Sequence, residues 1–262
     1  MRLWGFLIIL VTSLFTLYPT FHLALFGDDW FVLWNYLHNF NPSSSRQPHL
    51  ISYFVDTYGP QNLIMGTLYN IFGLESTKYY VISYLFRLIA AISLWLPVFY
   101  LTRSKLASFF ACLFFSVTTI GLETTNWVFN MPSYLAIASF NSFLYFFLKS
   151  RENEKIKLYI LAGLFFYLAH VFAPIRMTGL LLFTIIIELF WIFNHRNIGA
   201  VKLSTLRLAF FSAIFVLIIN TTRVPTTIPS SILQITKSIL GEGLGTIQQL
   251  LIRVALIFYF IQ

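Results

Sequence analysis

Charged residues and cysteine are both scarce in this chain of 262 residues. Charged side chains make up 10% of the sequence, whereas a soluble domain has about 25%. Hydrophobic residues make up 58%, and the mean hydropathy is +0.78. We therefore expect most of the surface to face lipid. The single cysteine, Cys112, excludes a disulfide framework and a thiolate metal site.

Several motifs that identify soluble enzymes and metal sites are absent from the sequence. The chain has no Walker loop, no dinucleotide-binding glycine fingerprint, no nucleophile elbow and no zinc motif. The net charge of +8 comes from basic residues that lie between apolar runs and form no patch with stacking aromatics. This distribution indicates membrane topology, and we expect no nucleic-acid partner.

Apolar segments dominate the chain, and eight of them predict an all-α polytopic integral membrane protein. We predict a single transmembrane domain over residues 1–262, with an uncleaved first helix in place of a signal peptide. The predicted spans are 3–25, 79–101, 106–120, 131–148, 158–173, 177–193, 204–220 and 247–262. The segments at 106–120 and 158–173 are short for a span. Because the last segment ends at Gln262 without a following loop, we expect a chain truncated at its C-terminus.

The basic residues of the loops predict the orientation in the membrane. With a cytoplasmic N-terminus, the cytoplasmic loops carry about twice as many lysines and arginines as the outside loops, which the positive-inside rule favours. We therefore predict a plasma-membrane protein with its N-terminus in the cytoplasm. Several carboxylates then fall on the outer side: Asp28, Asp29, Asp56, Glu75, Glu123 and Glu242.

The first outside loop, residues 26–78, is predicted to hold two helices that lie along the lipid bilayer surface. The first, from Asp28 to Phe40, has apolar residues at helical spacing: Trp30, Leu33, Trp34 and Leu37. The second, from Pro60 to Gly73, starts with a proline suited to a first helical turn and ends at a glycine. Its predicted stripe is Leu63, Thr67, Leu68 and Ile71.

Asp28 and Asp29 directly follow the first span and are the first candidates for chemistry. Two adjacent carboxylates repel, which raises one pKa, and a carboxylate at a lipid–water boundary can act as a general base toward a hydroxyl. The alternative is structural, because Asp28 suits a helix N-cap and Asp29 complements the helix dipole. Glu123, near Asn126 and Trp127, either joins this acidic pair or is an ordinary interfacial carboxylate.

Other charged residues lie inside or at the edges of the predicted spans. Arg87 and Glu188 fall at similar depth, and we predict an ion pair between the second and sixth spans. Arg176 lies at an interfacial break, where it either holds a lipid phosphate or extends to the headgroups. Arg46 and His49 are loop residues that could reach a phosphate.

The order of these motifs resembles the GT-C class of membrane glycosyltransferases, which includes protein O-mannosyltransferases and the transferases that modify lipid A. The resemblance covers about residues 1–150. Its features are Gly27-Asp28-Asp29-Trp30 after the first span, Tyr58-Gly-Pro-Gln-Asn62, Ile71-Phe-Gly-Leu-Glu75, and Glu123 in the next outside loop.

This resemblance implies a cell-envelope enzyme that moves a sugar from a polyprenyl-phosphate donor to a hydroxyl of a lipid or glycan acceptor, with inversion, outside the cytoplasm. Asp28 or Asp29 would be the base, and Glu123 would position the acceptor or, with Asp29, help hold a divalent metal ion. The expected substrate contacts are Arg46, His49, Trp30, Asn126, Trp127 and Arg176. The alternative functions are a membrane transporter and a non-catalytic polytopic assembly protein.

Overall fold

The computed structural model describes residues 3–40, 59–118, 122–153, 155–173, 177, 179–195 and 198–221. Every regular element in these residues is helical, which confirms the predicted all-α fold. The helices are α1 (Leu3–Leu17), α2 (Asp28–Asn35), α3 (Gly59–Phe72), α4 (Ser76–Ser93), α5 (Trp95–Thr102), α6 (Lys105–Val117), α7 (Leu122–Asn126), α8 (Pro132–Asn153), α9 (Ile156–Phe172), α10 (Leu180–His195) and α11 (Ile198–Thr221). A 3₁₀ turn follows α1 (Tyr18–His22) and another follows α7 (Val128–Asn130), while a π turn follows α2 (Tyr36–Phe40).

Four helical stretches are long and apolar enough to cross a membrane: Leu3–His22, Ser76–Thr102, Val128–Glu152 and Val201–Ile218. Helices α6, α9 and α10 coincide with three other predicted spans, and each is shorter than the four long stretches. At 1.5 Å per residue, α6 extends about 20 Å, less than the ~30 Å hydrocarbon core of a bilayer. The eighth predicted span, 247–262, lies outside the described residues.

The second long apolar stretch is interrupted at Leu94, between α4 and α5. Pro97 has no N–H to donate to the carbonyl of Ser93, so the regular bond pattern of an α-helix fails there. The Leu94 N–H bonds the Ala91 carbonyl at 3.3 Å, three residues back, as in a tighter 3₁₀ turn. The helical stretch Ser76–Thr102 therefore changes from α-helical to 3₁₀ hydrogen bonding inside a predicted span.

Both helices predicted in the first outside loop are present, as α2 and α3. Pro60 lies in the first turn of α3, where its missing N–H needs no partner. Gly73 follows the last turn with φ of +60°, and its N–H bonds the Tyr69 carbonyl at 2.8 Å. The proline start and the glycine stop are thus where the sequence predicts them.

The apolar stripes predicted for α2 and α3 are divided between the protein interior and the exposed surface, with Leu33 and Leu68 buried and Ile71 64% exposed. In α2, Trp30 is 48% exposed and Trp34 is 55% exposed, whereas Tyr36 just beyond it is buried. A Cβ atom at Gly66 of α3 would lie only 2.1 Å from the Tyr36 ring, so the ring packs directly on the α3 backbone. The Asn70 side-chain amide also donates to the Tyr36 hydroxyl at 2.7 Å. This contact fixes the buried face of α2 and leaves the tryptophans outward.

The buried hydrophobic side chains form two clusters, with α8 beside both. One cluster includes residues of α1, α4, α6 and the 3₁₀ turn after α7. The other lies between α8, α9 and α11, and its centre is a group of rings with centroids 5.3 to 5.6 Å apart: Phe143, Phe147, Phe166 and Phe211. Because α8 packs against both α4 and α9, it joins the two clusters.

The predicted ion pair between Arg87 and Glu188 is wrong. Glu188 Oε1 lies 2.8 Å from a guanidinium nitrogen of Arg151, at the carboxyl end of α8. Arg87 donates instead to the Tyr134 hydroxyl at 3.2 Å, near the amino end of the same helix. Tyr134 and Arg151 are about 25 Å apart along α8 at 1.5 Å per residue. Similar depth in two spans therefore did not make Arg87 and Glu188 neighbours.

Candidate functional site

The turn that carries the acidic pair depends on Gly27. Its φ is +57° and its ψ is −126°, a conformation that residues other than glycine adopt only under strain. This turn starts α2 with Asp28 and Asp29 in the first helical turn. It also places Gly27 against Trp127, because a Cβ at Gly27 would lie 3.8 Å from the Trp127 Nε1 atom.

Asp29 is completely buried and bonds two separate segments of backbone. Its Oδ1 accepts the Phe129 N–H at 2.7 Å, and its Oδ2 accepts the Phe26 N–H at 3.2 Å. The Asp29 N–H in turn donates to the Phe26 carbonyl at 3.1 Å. Asp29 therefore joins the turn before α2 to the 3₁₀ turn that follows α7.

Burial raises the pKa of Asp29 above its ordinary value. The N–H groups of Phe129 and Phe26 stabilise the charged form and lower this pKa, while the nearby charge of Asp28 raises it. Burial is the largest of these effects, so the net direction is upward. The folded protein thus favours a proton on Asp29 more than an unfolded chain does.

Asp28 and Trp30 lie on the accessible side of the same turn. The Asp28 side chain is exposed, in contrast to Asp29. The Trp30 indole N–H donates to the Leu25 carbonyl at 2.9 Å, which fixes the ring beside the start of α2. Of the two aspartates, Asp28 is therefore the one that a ligand can reach from the surface.

The last residue of α7, Asn126, and the residue after it, Trp127, lie near this turn, and each carries a buried polar atom. The Trp127 ring stacks on Phe26, with centroids 6.2 Å apart. Within the part of the chain that the structure describes, the buried Trp127 Nε1 and Asn126 Oδ1 atoms have no hydrogen-bond partner. A buried polar group without a partner destabilises a fold by about 1–3 kcal/mol, so such groups often mark a place for a ligand or a water.

Tyr80 of α4 fixes the distance between these two segments. Its hydroxyl contacts the Ala24 carbonyl at 2.9 Å and the Asn126 carbonyl at 3.1 Å. The chain after α1 and the end of α7 are therefore held by one side chain. The Asp29–Phe129 bond gives a second connection between the same two segments.

The structure brings together five of the predicted site residues: Asp28, Asp29, Trp30, Asn126 and Trp127. Glu123 belongs to α7, three positions before Asn126, but its side chain lies outside the description. The predictions for Arg46, His49 and Arg176 also lie outside the described residues.

Sequence reasoning missed Tyr80 and the Phe129 N–H as parts of this site. The sequence does mark Tyr80, because Tyr80, Tyr84 and Arg87 are polar residues at helical spacing within an apolar span. No sequence pattern marks the Phe129 N–H, since every residue except proline has the same group. Backbone donors are therefore found only once the fold is known.

The expected role of Asp29 as a metal ligand stays a prediction, and the geometry limits how a cation would reach it. Its carboxylate is buried, and both of its oxygens accept backbone N–H groups. No three His, Cys, Asp or Glu side chains form a ligand group among the described residues. The other expected ligand, the side chain of Glu123, lies outside them.

Comparisons with protein-family models, with curated proteins and with solved structures give no match to this chain. The arrangement of Asp28, Asp29, Asn126 and Trp127 therefore supports a functional proposal through its own chemistry.

Proposed function

We propose that this chain is a membrane glycosyltransferase of the GT-C type, with its site on the non-cytoplasmic side. The observation that carries the proposal is the bonded pair of segments at Gly27–Asp29 and Asn126–Phe129. These two segments carry the exposed Asp28 carboxylate and two buried polar atoms, Trp127 Nε1 and Asn126 Oδ1, that have no partner among the described residues. A hydroxyl-bearing ligand needs acceptors and a donor of this kind.

In this proposal, Asp28 is the general base and Asp29 holds it in place. A base must come within about 3 Å of the acceptor hydroxyl, directly or through one water, and the exposed Asp28 is free to do so. Asp29 has both oxygens committed to backbone donors, so it sets the position of the turn. Trp127 Nε1 and Asn126 Oδ1 then donate to and accept from ligand hydroxyls.

The reaction proposed is a single displacement at the anomeric carbon. The acceptor oxygen forms a bond to that carbon as the bond to the phosphate oxygen of the polyprenyl donor breaks. The hydroxyl proton passes to Asp28, and the lipid phosphate leaves with the bonding electron pair. Arg46, His49 and Arg176 stay as candidates for contact with this phosphate, and Glu123 as the residue that positions the acceptor.

Membrane insertion with about eight spans and a cytoplasmic N-terminus belongs to the same proposal. The four long apolar helices support a membrane location. The exposed Trp30 and Trp34 on α2 suit the interface, where a polyprenyl donor is delivered by the bilayer. A transporter is less well supported, because Arg87 and Glu188 each bond a partner on α8 and these two partners are about 25 Å apart along that helix.

The test is sugar transfer from a polyprenyl-phosphate donor, measured with the full-length protein in membranes. Asp28→Asn should lower the rate about 10²–10⁴-fold, because it removes the base and keeps a residue that tolerates the helix start. Glu75→Gln is the matched control, since Glu75 is an exposed carboxylate on the same predicted side, with 68% of its side chain accessible. Undiminished transfer by Asp28→Asn, with the control also active, would remove the catalytic assignment.

A further inference from the structure

Arg87 is a large, almost completely buried side chain in the middle of α4, with an exposed fraction of 1%. One guanidinium nitrogen donates to Thr125 Oγ1 at 2.7 Å and to the Tyr134 hydroxyl at 3.2 Å. The other donates to the Phe115 carbonyl at 3.3 Å and to the Thr118 carbonyl. Arg87 thus bonds α6, α7 and α8 from a position on α4.

The charge of Arg87 is stabilised by a helix end. The Phe115 and Thr118 carbonyls belong to the last turn and C-cap of α6, where carbonyl groups lack intrahelical donors and carry the negative end of the helix dipole. Among the described residues the ion pairs are Lys78–Glu75, Arg103–Glu152 and Arg151–Glu188, so Arg87 has no carboxylate partner there. The carbonyl end of α6 is therefore the described counter-charge of this cation.

These contacts fix the end of α7 at two points along one face of α4. Arg87 holds the Thr125 hydroxyl, and Tyr80, two turns earlier on α4, holds the Asn126 carbonyl. Further along the chain come Trp127, whose indole N–H has no partner among the described residues, and Phe129, whose N–H bonds Asp29. A movement of Arg87 would therefore shift Asn126 and Trp127, which directly follow Thr125 in the chain.

We infer that Arg87 is a positioning residue that sets the place of Asn126 and Trp127 against Asp28. This inference rests on the proposed glycosyl transfer for its consequence, although the contacts themselves are independent of it. Arg87 has no role with the substrate in this account. It acts through Thr125 and through the carboxyl end of α6, and the planar guanidinium is needed because it reaches both at once.

The test compares Arg87→Lys with wild type in lipid nanodiscs, by hydrogen exchange and by sugar-transfer kinetics. Lysine keeps the charge but carries its three N–H donors on one nitrogen, so it lacks the second nitrogen with which Arg87 reaches Thr125 and the α6 carbonyls together. Amide exchange over 122–131 should become about tenfold faster, while exchange over 143–148 in α8 stays unchanged. The kcat should fall about 10²-fold with KM for the donor nearly constant, because misplacement affects the chemical step.

Two further variants keep the test informative. If Arg87→Lys does not fold, Tyr134→Phe is the second variant, because it removes one Arg87 contact and the bond between the Tyr134 hydroxyl and Thr125. It leaves the bonds of Arg87 to Thr125 and to the α6 carbonyls, so it should raise exchange over 122–131 by a smaller factor. Arg103→Lys is the matched control, because Arg103 is an arginine with 67% of its side chain exposed and should change neither readout.

The possible results separate the two proposals. If Arg87→Lys exchanges faster over 122–131 but the wild type transfers no sugar, the positioning role is supported and the proposed glycosyltransferase function is refuted. Active wild type with unchanged exchange and unchanged kcat in Arg87→Lys would overturn the positioning role alone. An equal rise in exchange over 143–148 would also overturn it, since Arg87 would then stabilise the whole bundle.

Discussion

Asp29 and Glu188 are both completely buried carboxylates, yet the fold stabilises them in different ways. Asp29 accepts two backbone N–H groups from segments on either side of the acidic turn. Glu188 meets the guanidinium of Arg151 at 2.8 Å. A buried carboxylate can therefore connect loops through backbone N–H groups, or connect helices through an oppositely charged side chain. The loss of stability when a partner is removed should differ between the two.

Arg151 also contacts two aromatic rings besides the Glu188 carboxylate. Its guanidinium lies 4.8 Å from the centre of the Phe147 ring and 4.9 Å from that of Trp191. Such cation–π contacts are stronger when the group is desolvated. The Arg151–Glu188 pair therefore forms one buried unit between α8 and α10, whereas the Asp29 contacts are spread over the protein backbone.

The largest expected effect comes from breaking the buried pair on one side only. Arg151→Met should destabilise the fold by about 3–5 kcal/mol, because Glu188 would stay buried without a counter-charge. Thermal unfolding in detergent measures this change. Arg103→Met is the control, since the exposed pair of Arg103 with Glu152 at 3.8 Å should contribute only about 0–1 kcal/mol. A double variant, Arg151→Met with Glu188→Leu, should recover most of the loss, and a double variant as unstable as the single one would contradict this account.

A smaller effect is expected for the carboxylate that binds backbone groups. Asp29→Asn keeps one acceptor oxygen but puts an NH₂ group against the second backbone N–H, so it should cost about 1–3 kcal/mol. Unfolding of Asp29→Asn and Asp28→Asn should differ, since Asp28 is exposed and makes no such bonds. Equal melting temperatures for the two variants would show that the Asp29 bonds contribute little to the folded state.

Removing the Tyr80 hydroxyl sharpens the comparison further. Tyr80→Phe leaves the ring in place and deletes the contacts with the Ala24 and Asn126 carbonyls, at an expected cost of about 0.5–1.5 kcal/mol. Tyr100→Phe is a suitable control, because that hydroxyl belongs to α5 and bonds the Leu148 carbonyl of α8 at 3.3 Å. Hydrogen exchange should rise around 126–129 in Tyr80→Phe and stay normal there in the control.

The smallest expected effect is the pH dependence from Asp29. Because the pKa of Asp29 is raised in the fold, its contribution to stability is complete below the unfolded pKa of about 3.9 and is lost as pH rises through the folded value. The stability gap between wild type and Asp29→Asn should therefore widen from pH 7 toward pH 4. Melting curves of both proteins across this range provide the measurement, and a gap that narrows on acidification would mean that the pKa of Asp29 is lowered instead.

The sequence predicted the helices well because their signal is local. Apolar runs, Pro60 and Gly73 set where helices begin and end, and the predicted spans over the described residues coincide with helices to within a few residues. The break at Leu94 followed from Pro97, which could also have been seen in the sequence.

Contacts between distant segments were harder to predict. The pairing of Arg87 with Glu188 failed because depth along a span gives no information on which helices are adjacent or how they are rotated. The contact of Asp29 with Phe129 depends on a backbone N–H, which no residue type marks. The packing of α2 on α3 depends on the approach of the Tyr36 ring to Gly66, a contact between separate segments that no local pattern marks.

The Asp29–Phe129 bond also has a consequence for how the protein is made. Its two residues are 100 positions apart in the chain. At a synthesis rate of about 5–20 residues per second, the ribosome needs roughly 5–20 s to add the donor after the acceptor. During that interval the Phe129 N–H does not yet exist, so Asp29 cannot form this bond. Burial of the carboxylate with both of its backbone donors therefore follows emergence of the 3₁₀ turn at Val128–Asn130.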